Sequence, residues 1–236
     1  MKIVLLTSQT LHHTYFLQEL VTVFPVALTM VETSFAKSPF DASHPFEDAR
    51  DAYESSEWFG GSCPPLSNFS STEEFPTLND GRAVALVREI EPDVVIVFGT
   101  RKIKADVIAT CPDGIVNLHG GDPEEYRGLD SHLWAIYHNH FNGLVTTLHR
   151  LNEEFDDGDI ILESQIHIFR HMSIHMLRRQ NTEVCLKLTL SALDMYARFG
   201  TFITRKQRKV GRYYSFMPRK LKEICKKKFE RHTNSL

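Results

Sequence analysis

The sequence is short of several features, and each shortage excludes a class of protein. Its four cysteines, Cys63, Cys111, Cys185 and Cys225, lie far apart and form no Cys-x-x-Cys pair. A disulfide framework and a structural zinc site are therefore not expected, and reduced thiols in a cytoplasmic protein are. No apolar run approaches the roughly 18 residues that would span a bilayer. The opening Met1-Lys2-Ile3-Val4-Leu5-Leu6 has one charge and no small-residue cleavage site, so it reads as a first strand and not as a signal peptide. Gly-x-Gly-x-x-Gly is missing after that strand, which leaves a dinucleotide cofactor unsupported. There is no internal repeat and no low-complexity tract. A net charge of −3 gives no general attraction to nucleic acid or membrane. The charge is uneven, however: Arg205 to Arg231 holds twelve Lys or Arg against two Glu. Such a run is expected to be a solvated basic helix or a dimer contact.

What is present is enough for a core. Of 236 residues 42% are apolar, which suits one large domain or a domain with a small appendage. Short, mostly apolar runs at Lys2–Leu6, Val26–Val31, Asp93–Phe98 and Gly114–His119 read as strands, the first as one buried on both faces of a parallel sheet. Between them, helices are expected over His12–Val23, Phe46–Trp58, Asp80–Glu91 and Lys104–Ala109. The stretch from Glu32 to Asn79 is rich in Ser, Pro, Phe and acids, and is long for a connection. Further on, Asp130–Asn139 reads as a helix. Gly143–Leu151 and Asp159–His167 read as antiparallel strands joined by a short loop, and Ser173–Tyr196 as a long helix. The fold class is α/β: a Rossmann-like, mixed but mostly parallel sheet with helices on both faces. The expected division is a catalytic domain over 1–200 and a basic C-terminal extension over 201–236.

Three polar residues stand out against these elements. The strand ending at His119 carries Asn117 and His119 to the sheet's carboxyl edge, where ligands of open α/β sheets bind. Asp156 lies in the loop before the next strand pair closes. An amide, an imidazole and a carboxylate can move a one-carbon acyl group onto an amine. The carboxylate orients the imidazole, and the amide and imidazolium face a developing oxyanion. No Ser or Cys stands where a nucleophile would, so direct attack by a substrate amine is the simpler mechanism. Eight other histidines are read as surface or solvated groups. His12 and His13 open a helix, while His132, His138 and His140, and His167, His171 and His175, lack the ligand number and placement a metal needs.

In order and spacing, Asn117-Leu118-His119, Arg127-Gly128, Asp130-Ser131-His132-Leu133-Trp134-Ala135-Ile136 and Asp156-Asp157-Gly158-Asp159-Ile160 resemble the folate-dependent formyltransferases. That family includes glycinamide ribonucleotide, methionyl-tRNA and nucleotide-sugar N-formyltransferases. The resemblance runs through residues 94–166 and more weakly through 1–31. It implies that Asn117, His119 and Asp156 are catalytic and that N10-formyltetrahydrofolate is the donor, with no metal. The pterin would lie beside Gly99, Thr100, Arg101, Lys102 and Ile103 and the Asn152–Asp156 loop. Gly121, Asp122, Tyr126 and Arg127 would meet the acceptor.

The resemblance also carries a departure. Many members have Ser-Leu-Leu-Pro after the catalytic histidine, where this chain has Gly121-Asp122-Pro123-Glu124, which implies a different acceptor surface. Only 36 residues follow Gly200, short of the added domain of the tRNA enzymes, and the purine enzymes usually lack the 32–79 segment and the Gly-Arg-Tyr-Tyr tail. The nearest likeness is to nucleotide-sugar N-formyltransferases, which implies a nucleotide-linked amino sugar of bacterial O-antigen or lipopolysaccharide synthesis. A homodimer is expected, with no nucleic-acid or membrane partner. Another small amine, such as glycinamide ribonucleotide, an amino acid or a hydroxamate precursor, remains an alternative acceptor. So does a non-catalytic folate or nucleotide-sugar binding module of the same fold.

Overall fold

The strands with the longest uninterrupted apolar runs occupy the middle of the sheet. In the computed structural model, which describes residues 1–236, β1 (Ile3–Thr7) and β4 (Val94–Phe98) are buried along their whole length. Around them, in chain order, lie α1 (Leu11–Val21), β2 (Val26–Glu32), α2 (Pro45–Phe59), β3 (Thr72–Phe75) and α3 (Gly81–Ile90). After β4 come α4 (Ala105–Ile108), β5 (Ile115–His119), β6 (Tyr126–Gly128), α5 (Ser131–Tyr137), β7 (Val145–Arg150) and β8 (Ile160–Gln165). The chain ends with α6 (Leu177–Phe199), β9 (Arg212–Tyr214) and α7 (Arg219–Asn234).

Seven strands form one sheet in the order β3-β2-β1-β4-β5-β7-β8. The first five are mutually parallel; β7 runs antiparallel to β5, and β8 to β7. The antiparallel pairing of β7 with β8 follows from connection length, because a short loop joins antiparallel neighbours. Alternate residues of each strand enter opposite cores. Ile3, Leu5, Ile96 and Phe98 pack under Phe16, Leu17 and Leu20 of α1 and Leu188 and Leu193 of α6. Val4, Leu6, Val95 and Val97 pack under Ala83, Val84 and Val87 of α3. The expected mixed, mostly parallel α/β architecture with helices on both faces is the architecture found.

Three short strands were not apparent in the sequence. β3 has the sequence Thr-Glu-Glu-Phe and only Phe75 buried, so it carries no apolar run to announce it. It pairs on one side only, at the sheet edge, where polar side chains are tolerated. β6 and β9 pair with each other, in parallel, as a separate two-stranded sheet. Only the second half of the basic C-terminal run is helical, as α7, and one face of it is buried: Cys225 and Phe229 are fully enclosed with Met217, Ala135 and Ile136 in a third apolar cluster. No helix is long and apolar enough to cross a membrane.

Candidate active site

Strand parity brings the polar pair together. Leu118 enters the core at 5% exposure, and its neighbours Asn117 and His119 share the other face of β5. Directly across the ladder, His149 of β7 pairs with Asn117, and Thr147 with His119. Opposite residues in an antiparallel pair lie on the same face, so His149 joins the site. Its Nε2 is 3.1 Å from Asn117 Nδ2, and its Nδ1 is 2.8 Å from the carbonyl oxygen of Arg150. With Nδ1–H donating to that carbonyl, Nε2 is left facing both the Asn117 amide and Asp156.

Asp156 comes from the β7–β8 loop and has φ of +50°, a left-handed conformation that Asp tolerates better than most residues. The Gly128 N–H donates to its Oδ2 at 2.8 Å, and His119 Nδ1 lies 3.5 Å from the same oxygen. Its Oδ1 is 3.5 Å from Asn117 Nδ2 and 3.6 Å from His149 Nε2. Burial opposes ionisation of this carboxyl. The charges of His119 and His149, with hydrogen bonds from His149 and the Gly128 N–H, outweigh burial and hold it well below the usual carboxylate range. The other nitrogen of His119, Nε2, is 2.8 Å from the carbonyl oxygen of Tyr126 and donates to it. Both ring nitrogens of His119 thus face oxygen acceptors.

The three residues border a cleft of about 570 Å³ that also takes in Gly99, Thr100, Arg101, Lys102, Ile103, Asn152 and Phe155. On this wall Gly99 has φ of +74°, and any side chain there would run into the His13 ring. His13 is buried, and its Nδ1 is 2.8 Å from the Ser8 carbonyl oxygen, with burial lowering its pKa to about 3. Arg101 is occupied by Glu32 at 3.0 Å and by the Pro76 carbonyl at 2.7 Å. Lys102 has no carboxylate partner, and its ammonium lies 4.8 Å from the centre of the Phe155 ring.

The residues expected to meet an acceptor lie elsewhere. Gly121 packs beneath His119, where a Cβ would come within 2.6 Å of Nε2. The Asp122 carboxylate accepts from the Glu124 N–H at 2.9 Å. Tyr126 Oη is 3.1 Å from His140 Nδ1. Arg127 donates to the Phe155 carbonyl and lies 3.5 Å from Asp157. None of these four lines the cleft, whereas Gly128, Leu129, Tyr213 and Phe216 do. The chain brings no group of three or more His, Cys, Asp and Glu side chains together as metal ligands.

Sequence reasoning passed over His149 and Gln207, and read Tyr213 and Phe216 as a packing anchor rather than as a base-stacking platform. His149 had a signal in its strand parity, but the register that sets it opposite Asn117 is a property of the paired strands. Gln207 had none: its Nε2 donates to the carbonyls of Asp156 and Gly158 at 2.8 and 2.9 Å, stapling the Asp156 loop from the C-terminal segment.

Comparison with known proteins bears on this geometry. The formyl transferase family profile matches residues 54–193. Methionyl-tRNA formyltransferase of Acetivibrio thermocellus is 28% identical over 116 residues, 47% of this chain and 37% of the relative. The matched stretch therefore spans little more than a third of the length of such curated relatives. Among solved structures, the formyltransferase PseJ from Anoxybacillus kamchatkensis was determined with UDP-4,6-dideoxy-4-formamido-L-AltNAc and tetrahydrofolate. It is similar over 91% of this chain and 86% of its own, at 17% identity and a TM-score of 0.57. A sugar N-formyltransferase from Shewanella sp FDAARGOS_354 is similar over 91% of this chain and 76% of its own, at 17% identity and a TM-score of 0.61. These identities carry the shared fold. The profile match covers more than half of the 236 residues and contains Asn117, His119 and Asp156, so the chain belongs to the formyl transferase family.

Proposed function

We propose that this protein transfers a formyl group from N10-formyltetrahydrofolate to the amine of a nucleotide-linked amino sugar. The convergence of Asn117, His119 and the ionised Asp156 at the end of one cleft is the observation that carries the reading. Family membership supports the reaction type, and the sugar and tetrahydrofolate bound by PseJ support the two substrates. Amino sugars of this kind serve bacterial surface glycans such as O-antigen.

The donor supplies an activated one-carbon acyl group, and the residues of this chain do the rest. The 99–103 loop and the Asn152–Asp156 loop would hold its flat ring system, since Gly99 leaves backbone and not side chain at that wall. The Asn117 amide lies against His149 Nε2 and Asp156 Oδ1, and turned to the cleft it meets negative charge developing on the formyl oxygen. His119 supplies the positive charge beside it. As the formyl carbon exchanges its bond to folate N10 for one to the amine, Asp156, kept ionised, holds His119 in place and relays the amine's proton to the departing N10, directly or through water. The names of the sequence relatives favour a second acceptor, methionyl-tRNA, which belongs in the same test.

Purified protein is incubated with N10-formyltetrahydrofolate and, separately, a panel of nucleotide-linked amino sugars and methionyl-tRNA; folate release and product mass are followed. One formyl group gained by a sugar is the expected result. Loss of an oxyanion donor typically costs on the order of 10²–10³ in turnover, so Asn117→Ala and His119→Ala should each fall that far. Near-normal turnover in both variants refutes the site. Formylation of methionyl-tRNA alone replaces the acceptor.

A further inference from the structure

The C-terminal segment contributes surface to the cleft that the catalytic trio does not use. β9 pairs with β6 so that Tyr213 stands opposite Arg127, and Tyr214 opposite Gly128. Gly128 has φ of +90° and its Cα lies under the Tyr213 ring, where a Cβ would come within 2.8 Å of Cε2. The same glycine donates its N–H to Asp156. Tyr213 therefore rests on the residue that holds the catalytic carboxylate. The strand alternates here. Tyr214 turns inward and stacks on Trp134 at 4.8 Å, whereas Tyr213 faces the cleft with 51% of its surface exposed.

Phe155, next to Asp156, is 40% exposed, with its ring centre 5.3 Å from that of Tyr213. The rings meet at 48°, so neither face is covered by the other. Two aromatic faces left in solvent beside a reaction centre suit a planar ring, whose stacking needs no particular hydrogen-bond pattern. The unpaired Lys102 ammonium at the Phe155 ring suits an anionic group attached to such a ring.

We propose that Tyr213 and Phe155 form a stacking subsite for a planar aromatic ring carried by one of the two substrates. Resting on the formyl-transfer reading, it takes either the aryl ring of the folate donor or the base of the acceptor nucleotide. Each carries an anion, a carboxylate or a phosphate, near its ring, for Lys102.

Binding is measured without catalysis, by calorimetric titration of the full chain. The donor-side probe is 5-formyltetrahydrofolate, and the acceptor-side probes are UDP, dTDP and GDP, each alone. The variants are Tyr213→Ala, Tyr213→Leu, which keeps apolar bulk but not a planar face, and Tyr213→Phe, which keeps the ring. Tyr213→Ala and Tyr213→Leu should weaken one side's probe roughly 5- to 100-fold, with Tyr213→Phe within about twofold. A loss confined to 5-formyltetrahydrofolate assigns the aryl ring; a loss confined to a nucleotide assigns the base. Unchanged binding by folded Tyr213→Ala and Tyr213→Leu overturns the subsite and leaves the transfer reading standing. Failure of the unaltered chain to bind any probe overturns both.

Discussion

Asp156 shows how competing effects at one residue are resolved. Burial alone would favour its neutral form, yet two histidines and the Gly128 N–H keep it ionised. His149 lies against both Asn117 and Asp156, and its expected part is to position them. A neutral hydrogen bond of this kind is worth roughly 1 kcal/mol, which as an orienting contact predicts a loss of about 5- to 10-fold in kcat for His149→Ala. The donor KM should hardly move, and His149→Gln should recover part of the rate. Steady-state kinetics with a pH profile checks this. Unchanged kcat in His149→Ala, with the wild-type profile, would refute the positioning role. Asn117, His119 and Asp156 were legible from motif spacing because each lies near an element end that the apolar pattern marks. His149 was not, because it sits in mid-strand and its partner depends on ladder register.

Among the elements, α7 and the segment before it are tied to the body by contacts of unequal value. Lys222 is 3% exposed, 2.9 Å from Glu47 of α2 and 3.8 Å from Asp130. Removing one member of a buried pair strands the other charge, so Lys222→Ala should cost about 3–5 kcal/mol of unfolding free energy. Lys227 pairs with Glu223 on the same helix at 3.2 Å, but both are exposed, and Lys227→Ala should cost at most about 1 kcal/mol. Urea unfolding of the two variants checks the contrast; equal losses would mean that Lys222 is effectively solvated. The twelve basic residues of this stretch read as a charged, solvated run in the sequence. Hidden among them, Met217, Cys225 and Phe229 supply the buried face, and they are too sparse to stand out against that charge.

For the whole molecule, two enclosed histidines make stability depend on pH. Burial lowers the pKa of His13 to about 3 and that of His132 to about 4, against an ordinary 6.5. Both are neutral when folded, whereas the unfolded chain takes up protons as the pH falls below about 6.5. Stability should therefore decline on acidification, by up to about 1.4 kcal/mol per pH unit for each histidine. Asp156 acts lower down: its depressed pKa stabilises the fold above the unfolded carboxylate range, and that contribution fades as pH falls through it. Denaturant midpoints at about pH 7 and about pH 5 should separate the histidine effect from the carboxylate one. A flat stability between them would refute it.

By itself the sequence determined the strand-helix alternation, the mostly parallel sheet and the motif that carries Asn117, His119 and Asp156. Those depend on local periodicity and on residues close together along the chain, which a linear reading can follow. Only the tertiary structure decided that β3 closes one edge, that β9 pairs with β6, and that His149, Gln207 and Tyr213 reach the loop that carries Asp156. Short, polar strands and long-range pairings have no period to read. They form because burying the rest of the chain brings their backbone donors and acceptors within reach of one another.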